Sequence, residues 1–158
     1  MIVRGAAPYD YEALCVVIRE IDDYHQVALP HFFRRNPGEA RPLSWLMDIL
    51  ANPEMTLLVA EKDGELIGFL WGMLRAAPDT PFHMPRRWLL VDMLGVSEAY
   101  RGQGVGRALM EQAEAWAKAQ GVSEVELSVW EFNQGAQAMY EKLGYTTTVR
   151  RMWKSLKD

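Results

Sequence analysis

A short glycine-rich stretch has the spacing of an anion-binding loop. It lies between an apolar run that ends at Val96 and a helical pattern that follows, and its residues are Arg101, Gly102, Gln103, Gly104, Val105, Gly106 and Arg107. The first backbone N–H groups of a helix have no partner inside the helix, and the helix dipole favours negative charge there. Glycines remove side chains that would keep a phosphate away from those amides. The stretch therefore predicts a pyrophosphate site.

Two common phosphate loops fit this stretch poorly. A P-loop requires Lys and then Ser or Thr after its last glycine, whereas Gly106 is followed by Arg107 and Ala108. The dinucleotide fingerprint G-x-G-x-x-G begins well, but Arg107 stands where its third glycine belongs. Glu126 follows the glycines at about the sequence spacing of the acidic residue that binds the ribose in this fingerprint. It falls within a predicted strand, however. A dinucleotide oxidoreductase therefore stays only as a competing hypothesis.

A third pattern, Arg/Gln-x-x-Gly-x-Gly/Ala, is matched fully by Arg101, Gly104 and Gly106. About 30 residues later, the segment from Asn133 to Tyr145 follows the pattern N-x-x-A-x-x-x-Y-x-x-x-G-[FY]. With both motifs in this order, the chain resembles the GNAT superfamily of acyl-CoA-dependent N-acetyltransferases. The similarity covers nearly the whole chain, including a helical first third and a central hairpin.

The resemblance implies an acetyl-CoA site along the loop and the strand before it. Amides from Gly102 to Arg107 would cradle the pyrophosphate, with Arg101 and Arg107 adding positive charge, although Arg107 fits a solvent-facing helix position equally well. The backbone of Leu94, Gly95 and Val96 would hold the acetyl-pantetheine arm, since glycine within a strand lets another chain approach. A backbone N–H, from Leu94 by preference, would polarise the thioester carbonyl.

Tyr140 and Asn133 are the candidates from the second motif. Asn133 would contact CoA and is also a good helix N-cap. Tyr140 lies two helical turns further along, on the same face. In many relatives the matching tyrosine donates a proton to the departing CoA thiolate, and a tyrosine remains protonated at neutral pH. The alternative for Tyr140 is a buried aromatic residue that packs in the core.

Asp92 is the candidate base, because it is the only carboxylate in the apolar run from Trp88 to Val96. The attacking amine must lose a proton before its lone pair can react. Several relatives carry Glu at the matching place, and Asp is one methylene shorter. Asp92 would then act directly, act through water or bind the cationic substrate. A structural, hydrogen-bonded aspartate is the alternative.

The resemblance and the order of the expected helices and strands together predict an α/β GNAT fold. Its sheet would be mixed, mostly antiparallel and of about seven strands, flanked by about four helices. Helical spacing predicts a first helix over Asp10 to Tyr24, with Asp10 as N-cap. Asp63 and Gly64 predict a hairpin turn. A strand is expected from Val125 to near Trp130, and one or two closing strands over Tyr145 to Leu156. Residues 1–158 are expected to form a single domain, since no linker interrupts them.

Composition narrows the class of protein. A net charge of −4 gives no general attraction to nucleic acid and weakly favours cationic partners. The lone Cys15 excludes an internal disulfide, and His25, His31 and His83 lack metal-ligand spacing, so no metal is expected. No apolar run reaches about 18 residues, and the N-terminus lacks the apolar core of a signal peptide, so neither a membrane span nor secretion is expected. A cytoplasmic location is the default expectation.

The predicted function is transfer of an acetyl group from acetyl-CoA to a primary amine, on a small molecule or a peptide, by direct attack in a ternary complex. The alternative is a module that binds acyl-CoA as a sensor or scaffold without turnover. Tyr140 and Asp92 argue against it, because a protein that only binds acyl-CoA needs neither. The acceptor pocket is expected near an aromatic cluster with two acidic neighbours, comprising Tyr24, His31, Phe32, Phe33, Asp22 and Asp23. The resemblance leaves a homodimer open.

Overall fold

A computed structural model describes residues 1–156 of the chain. The chain forms two compact units, one from Met1 to Ser128 and a second that begins at Val129. The expectation of a single domain over residues 1–158 therefore stays a prediction.

The first unit is built on a five-stranded sheet whose strands lie side by side in chain order. They are β1 (Ile2–Gly5), β2 (Met55–Lys62), β3 (Glu65–Ala76), β4 (Arg87–Val96) and β5 (Val125–Leu127). The first four are antiparallel to their neighbours, and β5 runs parallel to β4. This confirms a mixed, mostly antiparallel sheet. The turn between β2 and β3 has positive φ at both Asp63 and Gly64, which matches the right-handed twist of a hairpin.

Three helices pack on this sheet: α1 (Tyr11–Ala28), α2 (Leu43–Ala51) and α3 (Val105–Ala119). Apolar residues of α1 and α2 form one core cluster with side chains of β2 and β3, which includes Leu14, Val17, Ile18, Leu46, Ile49, Leu57, Val59 and Phe69. Helix α3 approaches β3 at Gly68, where a Cβ atom would lie 3.1 Å from Val105 and 3.4 Å from Leu109. Glycine at this position therefore lets the start of α3 lie close to the sheet.

Helix α1 starts where it was predicted, with Asp10 at its N-cap position, but its predicted end was wrong. The helix continues to Ala28, four residues beyond Tyr24, and the Asp10 side chain does not cap it. Asp10 instead accepts hydrogen bonds from the Arg4 guanidinium at 2.8 Å and from the Ala7 backbone N–H at 2.8 Å. Arg4 also pairs with Glu61 of β2, so this network joins β1 and β2 to the segment that leads into α1.

The second unit contains α4 (Gln134–Lys142). Asn133 caps it as expected, because its side-chain oxygen accepts a hydrogen bond from the Ala136 backbone N–H at 3.2 Å. The expected closing strands over Tyr145 to Leu156 were wrong, since no residue of this segment lies in a strand.

The sheet differs from the prediction in the length of β5 and in the number of strands. Strand β5 stops at Leu127 instead of continuing to Trp130, and the part of the chain that the structure describes holds five strands in place of about seven. Val149, Met152 and Leu156 are exposed. These apolar side chains therefore form no buried sheet face, and strand propensity without such a face does not fix a strand.

Candidate active site

Strand β4 changes its neighbours at Asp92. Trp71 of β3 pairs with Met93 and Gly72 pairs with Val91, so Asp92 is an extra residue that bulges from the ladder. The pairing of β4 with β5 covers only Leu89 to Val91. Beyond the bulge, β4 therefore continues alongside β3 without a ladder to β5.

The register of β3 and β4 decides where the backbone groups after the bulge point. The Ser97 N–H donates to the Ile67 carbonyl at 2.9 Å, which continues the ladder past the end of β4. In an antiparallel pair, alternate residues direct both main-chain groups to the partner strand. Met93 and Gly95 therefore face β3, whereas Leu94 and Val96 direct their N–H and C=O groups toward the side that β5 has left.

Packing within the first unit explains why position 95 is a glycine. A Cβ atom at this position would lie 2.7 Å from the Phe69 ring and 2.8 Å from Ile21 of α1. The close approach that glycine permits here is therefore to α1 and β3. Contact of Gly95 with an acyl arm stays a prediction.

After β4, a single 3-10 turn (Glu98–Tyr100) leads into the glycine-rich loop and α3. Gly102 and Gly104 have φ of 73° and 85°, in the left-handed region that glycine adopts without strain. Among the described residues, no protein acceptor receives a hydrogen bond from the N–H groups of residues 102 to 107. No side chain caps α3, since Gly104 is its N-cap. The loop thus ends in a row of unpaired amides at the positive end of a helix.

The two arginines of the loop have different surroundings. Arg101 donates from Nε to the Val96 carbonyl at 3.1 Å, and its guanidinium carbon lies 5.0 Å from the centre of the Tyr24 ring. Arg107 is exposed on the first turn of α3, 4.0 Å from Glu111. Of these two arginines, Arg101 contacts α1 through the Tyr24 ring, whereas Arg107 does not. The Gln103 side chain donates to the Ala99 carbonyl at 2.9 Å.

Asp92 is exposed at the bulge, and its carboxylate forms no hydrogen bond or ion pair with any side chain or backbone group of residues 1–156. A structural role through hydrogen bonding is therefore not seen. Asp22, by contrast, forms a two-pronged pair with Arg41 at 2.9 and 3.2 Å, so it is already occupied by a protein cation. Asp23 next to it is exposed.

Tyr140 lies on α4, in the second unit, and is 8% exposed. Burial raises the pKa of its phenol to about 12. The hydroxyl is therefore protonated over the whole physiological range, and it gives up its proton less readily than a solvated tyrosine. The Tyr145 ring lies 5.8 Å away, in an edge-to-face arrangement. Burial of the ring agrees with the core role expected for Tyr140 and leaves the acid role untested.

The predicted donor-site residues from Leu94 to Arg107 all lie in the first unit, on the end of β4, the loop and the start of α3. Asn133 and Tyr140 lie in the second unit. Sequence reasoning missed Glu20, which contacts Ser97 and Glu98 from α1. No local signal points to Glu20, because its partners are 77 and 78 positions away in the chain.

Two negative findings concern metals and membranes. Residues 1–156 contain no group of three or more His, Cys, Asp or Glu side chains placed to hold a metal ion. Within the same range, every helix is too short or too polar to cross a membrane.

Comparison with known proteins agrees with this geometry. A profile described as Acetyltransferase (GNAT) family matches residues 18–145. The uncharacterized N-acetyltransferase YdgE of Bacillus subtilis is 32% identical over 98 residues, which are 62% of this chain and 59% of YdgE. The mycothiol acetyltransferase of Streptomyces coelicolor is 37% identical over 89 residues, or 56% of this chain and 26% of that protein. The chain thus spans only part of the curated relatives that it matches.

Solved structures extend the likeness over the full length. A variant of the BH1408 protein from Bacillus halodurans has a TM-score of 0.93 at 27% identity, covering 99% of this chain and 100% of that one. The aminoglycoside N-acetyltransferase AAC(6')-Iy, solved in complex with CoA, has a TM-score of 0.73 at 16% identity, covering 99% and 100%, and shares the fold. Since the family profile spans both sequence motifs and most of the sheet, the chain belongs to the GNAT family of acetyltransferases.

Proposed function

We propose that the protein transfers an acetyl group from acetyl-CoA to a primary amine by direct attack in a ternary complex. The observation that carries this proposal is the row of unpaired amides over residues 102–107, which ends at the uncapped start of α3. It follows directly on a strand whose outer edge is open beyond Asp92. An anion site beside an open strand edge suits a donor with a pyrophosphate at one end and an amide-containing arm at the other.

The backbone of β4 after the bulge would hold the pantetheine arm. Leu94 and Val96 turn their main-chain groups away from β3, so an extended arm could pair with them as a strand does. The Val96 carbonyl is the acceptor that Arg101 now occupies at 3.1 Å, so Arg101 would have to release it to an arm amide. The Leu94 N–H would donate to the thioester oxygen and stabilise the negative charge that develops on it.

Asp92 would serve the amine. Its side chain is exposed and has no protein partner within the described chain, so its carboxylate can bind an ammonium group or take a proton through a water molecule. The neutral amine nitrogen then attacks the thioester carbon, a C–N bond forms, and the C–S bond breaks. The proton that the amine loses leaves through water toward Asp92.

Tyr140 would act on the departing sulfur. A phenol with a pKa of about 12 is a better hydrogen-bond donor to a thiolate than a full proton donor, because a thiol has a reference pKa near 8.5. We therefore assign Tyr140 to stabilise the thiolate by hydrogen bonding as the C–S bond breaks. Solvent then protonates the CoA thiolate, Asp92 returns the amine proton to solvent, and Tyr140 keeps its own proton throughout.

The test is the release of free thiol from acetyl-CoA across a panel of amines. The panel contains polyamines, aminoglycosides, amino acids, an amino-sugar thiol and peptides with free N-termini, because the names of the relatives span several of these classes. Amine-dependent release, with the acetylated product identified by mass spectrometry, supports the proposal. Tight CoA binding without turnover on any class would favour the alternative of an acyl-CoA sensor or scaffold.

A further inference from the structure

One face of α1 contacts the donor region at three points. Glu20 and Tyr24 are four residues apart and so lie on the same side of the helix, and Ile21 is adjacent to Glu20. Ile21 fills the space beside Gly95 of β4. The Tyr24 ring lies beneath the Arg101 guanidinium, at 5.0 Å. Helix α1 therefore contacts both the strand before the loop and the loop itself.

Glu20 makes the most specific of these contacts. Its Oε1 accepts a hydrogen bond from the Ser97 hydroxyl at 3.2 Å, and its Oε2 accepts one from the Glu98 backbone N–H at 3.0 Å. Ser97 stands at the N-cap of the 3-10 turn but makes no capping hydrogen bond with its own side chain. A carboxylate from α1 thus supplies the cap for this turn, and a charged acceptor makes such a bond stronger.

The turn that Glu20 caps determines where the amide row begins. The Tyr100 N–H donates to the Ser97 carbonyl and the Arg101 N–H donates to the Glu98 carbonyl, so the turn fixes the backbone up to residue 101. Residues 102–107 follow at once. A shift of the turn would therefore move the first amides of the row relative to the open edge of β4.

We propose that Glu20 is a positioning residue for the donor loop, acting through Ser97 and Glu98. This inference rests on the proposed function, since it assumes that the loop binds the CoA pyrophosphate. Both carboxylate oxygens of Glu20 already accept hydrogen bonds from protein groups, so Glu20 would affect the donor only through the turn and the loop. Its negative charge stays near an anion site because those two hydrogen bonds compensate it. Through Glu20, the helix beside the expected acceptor pocket also sets the geometry of the donor site.

The experiment measures CoA affinity by calorimetry and amide hydrogen exchange in the CoA-free protein. Glu20→Ala should weaken CoA binding by about fivefold to tenfold, the loss expected for hydrogen bonds to a partly exposed charged group. Exchange should become faster at the hydrogen-bonded amides of Glu98, Tyr100 and Arg101 and stay unchanged in the β1–β2 pair. The matched control is Glu12→Ala, which removes an exposed carboxylate from the first turn of the same helix and should change neither quantity.

A double-mutant cycle with Ser97→Ala identifies the path. If Glu20 acts through Ser97 and the turn, the two substitutions together should cost less affinity than the sum of their separate effects. Unchanged exchange at the turn amides and unchanged CoA affinity in Glu20→Ala would overturn the inference. A uniform loss of protection across the chain would also overturn it, since that result marks a general stability role. Failure of the wild-type protein to bind CoA would instead refute the proposed function, and the exchange data would still report on the turn.

Discussion

Gly104 links backbone conformation to ligand binding at the centre of the amide row. Its φ of 85° is costly for any residue with a Cβ atom, while the space that such an atom would enter is open, with no other atom within 4 Å. A substitution therefore strains the backbone without a clash. It also places a methyl group next to amides that we assign to the pyrophosphate.

We predict that Gly104→Ala lowers CoA affinity at least tenfold and costs about 1–2 kcal/mol of stability, the usual cost of the left-handed conformation. Gly121→Ala is the matched control, because Gly121 has a φ of 73°, equally open surroundings and a position after the far end of α3. Both variants should melt at similarly reduced temperatures, and only Gly104→Ala should bind CoA poorly in calorimetry. Equal CoA affinities in the two variants would show that the loop does not hold the pyrophosphate.

Tyr140 offers a second test at a single side chain. Tyr140→Phe keeps the buried ring and removes the hydroxyl, so kcat should fall about tenfold to a hundredfold while CoA affinity changes little. Tyr145→Phe removes the same group from the neighbouring ring and should leave kcat near the wild-type value. Steady-state kinetics with an acceptor from the panel, together with a single-turnover measurement, gives both numbers. An unchanged single-turnover rate would remove Tyr140 from the chemistry.

Some elements were predictable because their signals are local. The Asp63–Gly64 turn and the Asn133 cap each depend on a few adjacent residues, and the structure has both. The end of α1 and the role of Asp10 were not predictable in this way. Arg4 lies only six positions from Asp10, but its second partner, Glu61, lies 57 positions from Arg4, so the complete network is not visible in any local window.

The Arg4–Asp10 pair makes stability depend on pH. The Arg4 guanidinium holds the pKa of the Asp10 carboxyl below its usual value, chiefly through its hydrogen bonds. A lowered folded pKa stabilises the fold above the pKa of the unfolded state, near 4, and this contribution is lost as pH falls through the folded value. We predict that Asp10→Asn costs about 2–3 kcal/mol at pH 7, because it leaves a partly buried arginine short of one partner.

Thermal or urea unfolding from pH 7 down to about pH 2.5, below the usual pKa of an aspartate, measures this contribution. The difference between wild type and Asp10→Asn should shrink as the solution is acidified. Asp48→Asn, an exposed change on α2, should follow the wild type at every pH. A difference that stayed constant with pH would mean that packing, and not the charge of Asp10, stabilises this corner.

For the molecule as a whole, ligand binding should raise stability selectively. A ligand that binds only the folded state at 100 times its Kd adds about 2.7 kcal/mol to the free energy of unfolding. We predict that CoA raises the melting temperature in a concentration-dependent way, whereas NAD and NADP do not. Scanning fluorimetry with matched nucleotide concentrations decides between these ligands. A larger shift with NAD or NADP would revive the dinucleotide hypothesis, which Arg107 disfavours on sequence grounds.

The family was predictable from two motifs, but the arrangement around them was not. Arg101, Gly104 and Gly106 identified the loop, because a motif defined by residue types at fixed spacing can be recognised in the sequence alone. The bulge at Asp92 and the contact of Glu20 with the 3-10 turn depend on strand register and helix placement, which only the assembled sheet determines. The acceptor, a cytoplasmic location and a homodimer stay predictions, since each depends on partners or surroundings outside the chain.

The bulge in β4 joins two properties in one position of the chain. The extra residue follows directly on the last residue that pairs with β5, and it also carries the carboxylate assigned to the amine. Deleting Asp92 would leave Val91 opposite Gly72 and Met93 opposite Trp71, so the pairing with β3 would survive. The edge beyond Val91 would still lack a ladder to β5, because β5 is only three residues long, but the carboxylate beside that edge would be lost. The inserted residue thus adds a charged group to a strand edge without altering the register on either side of it.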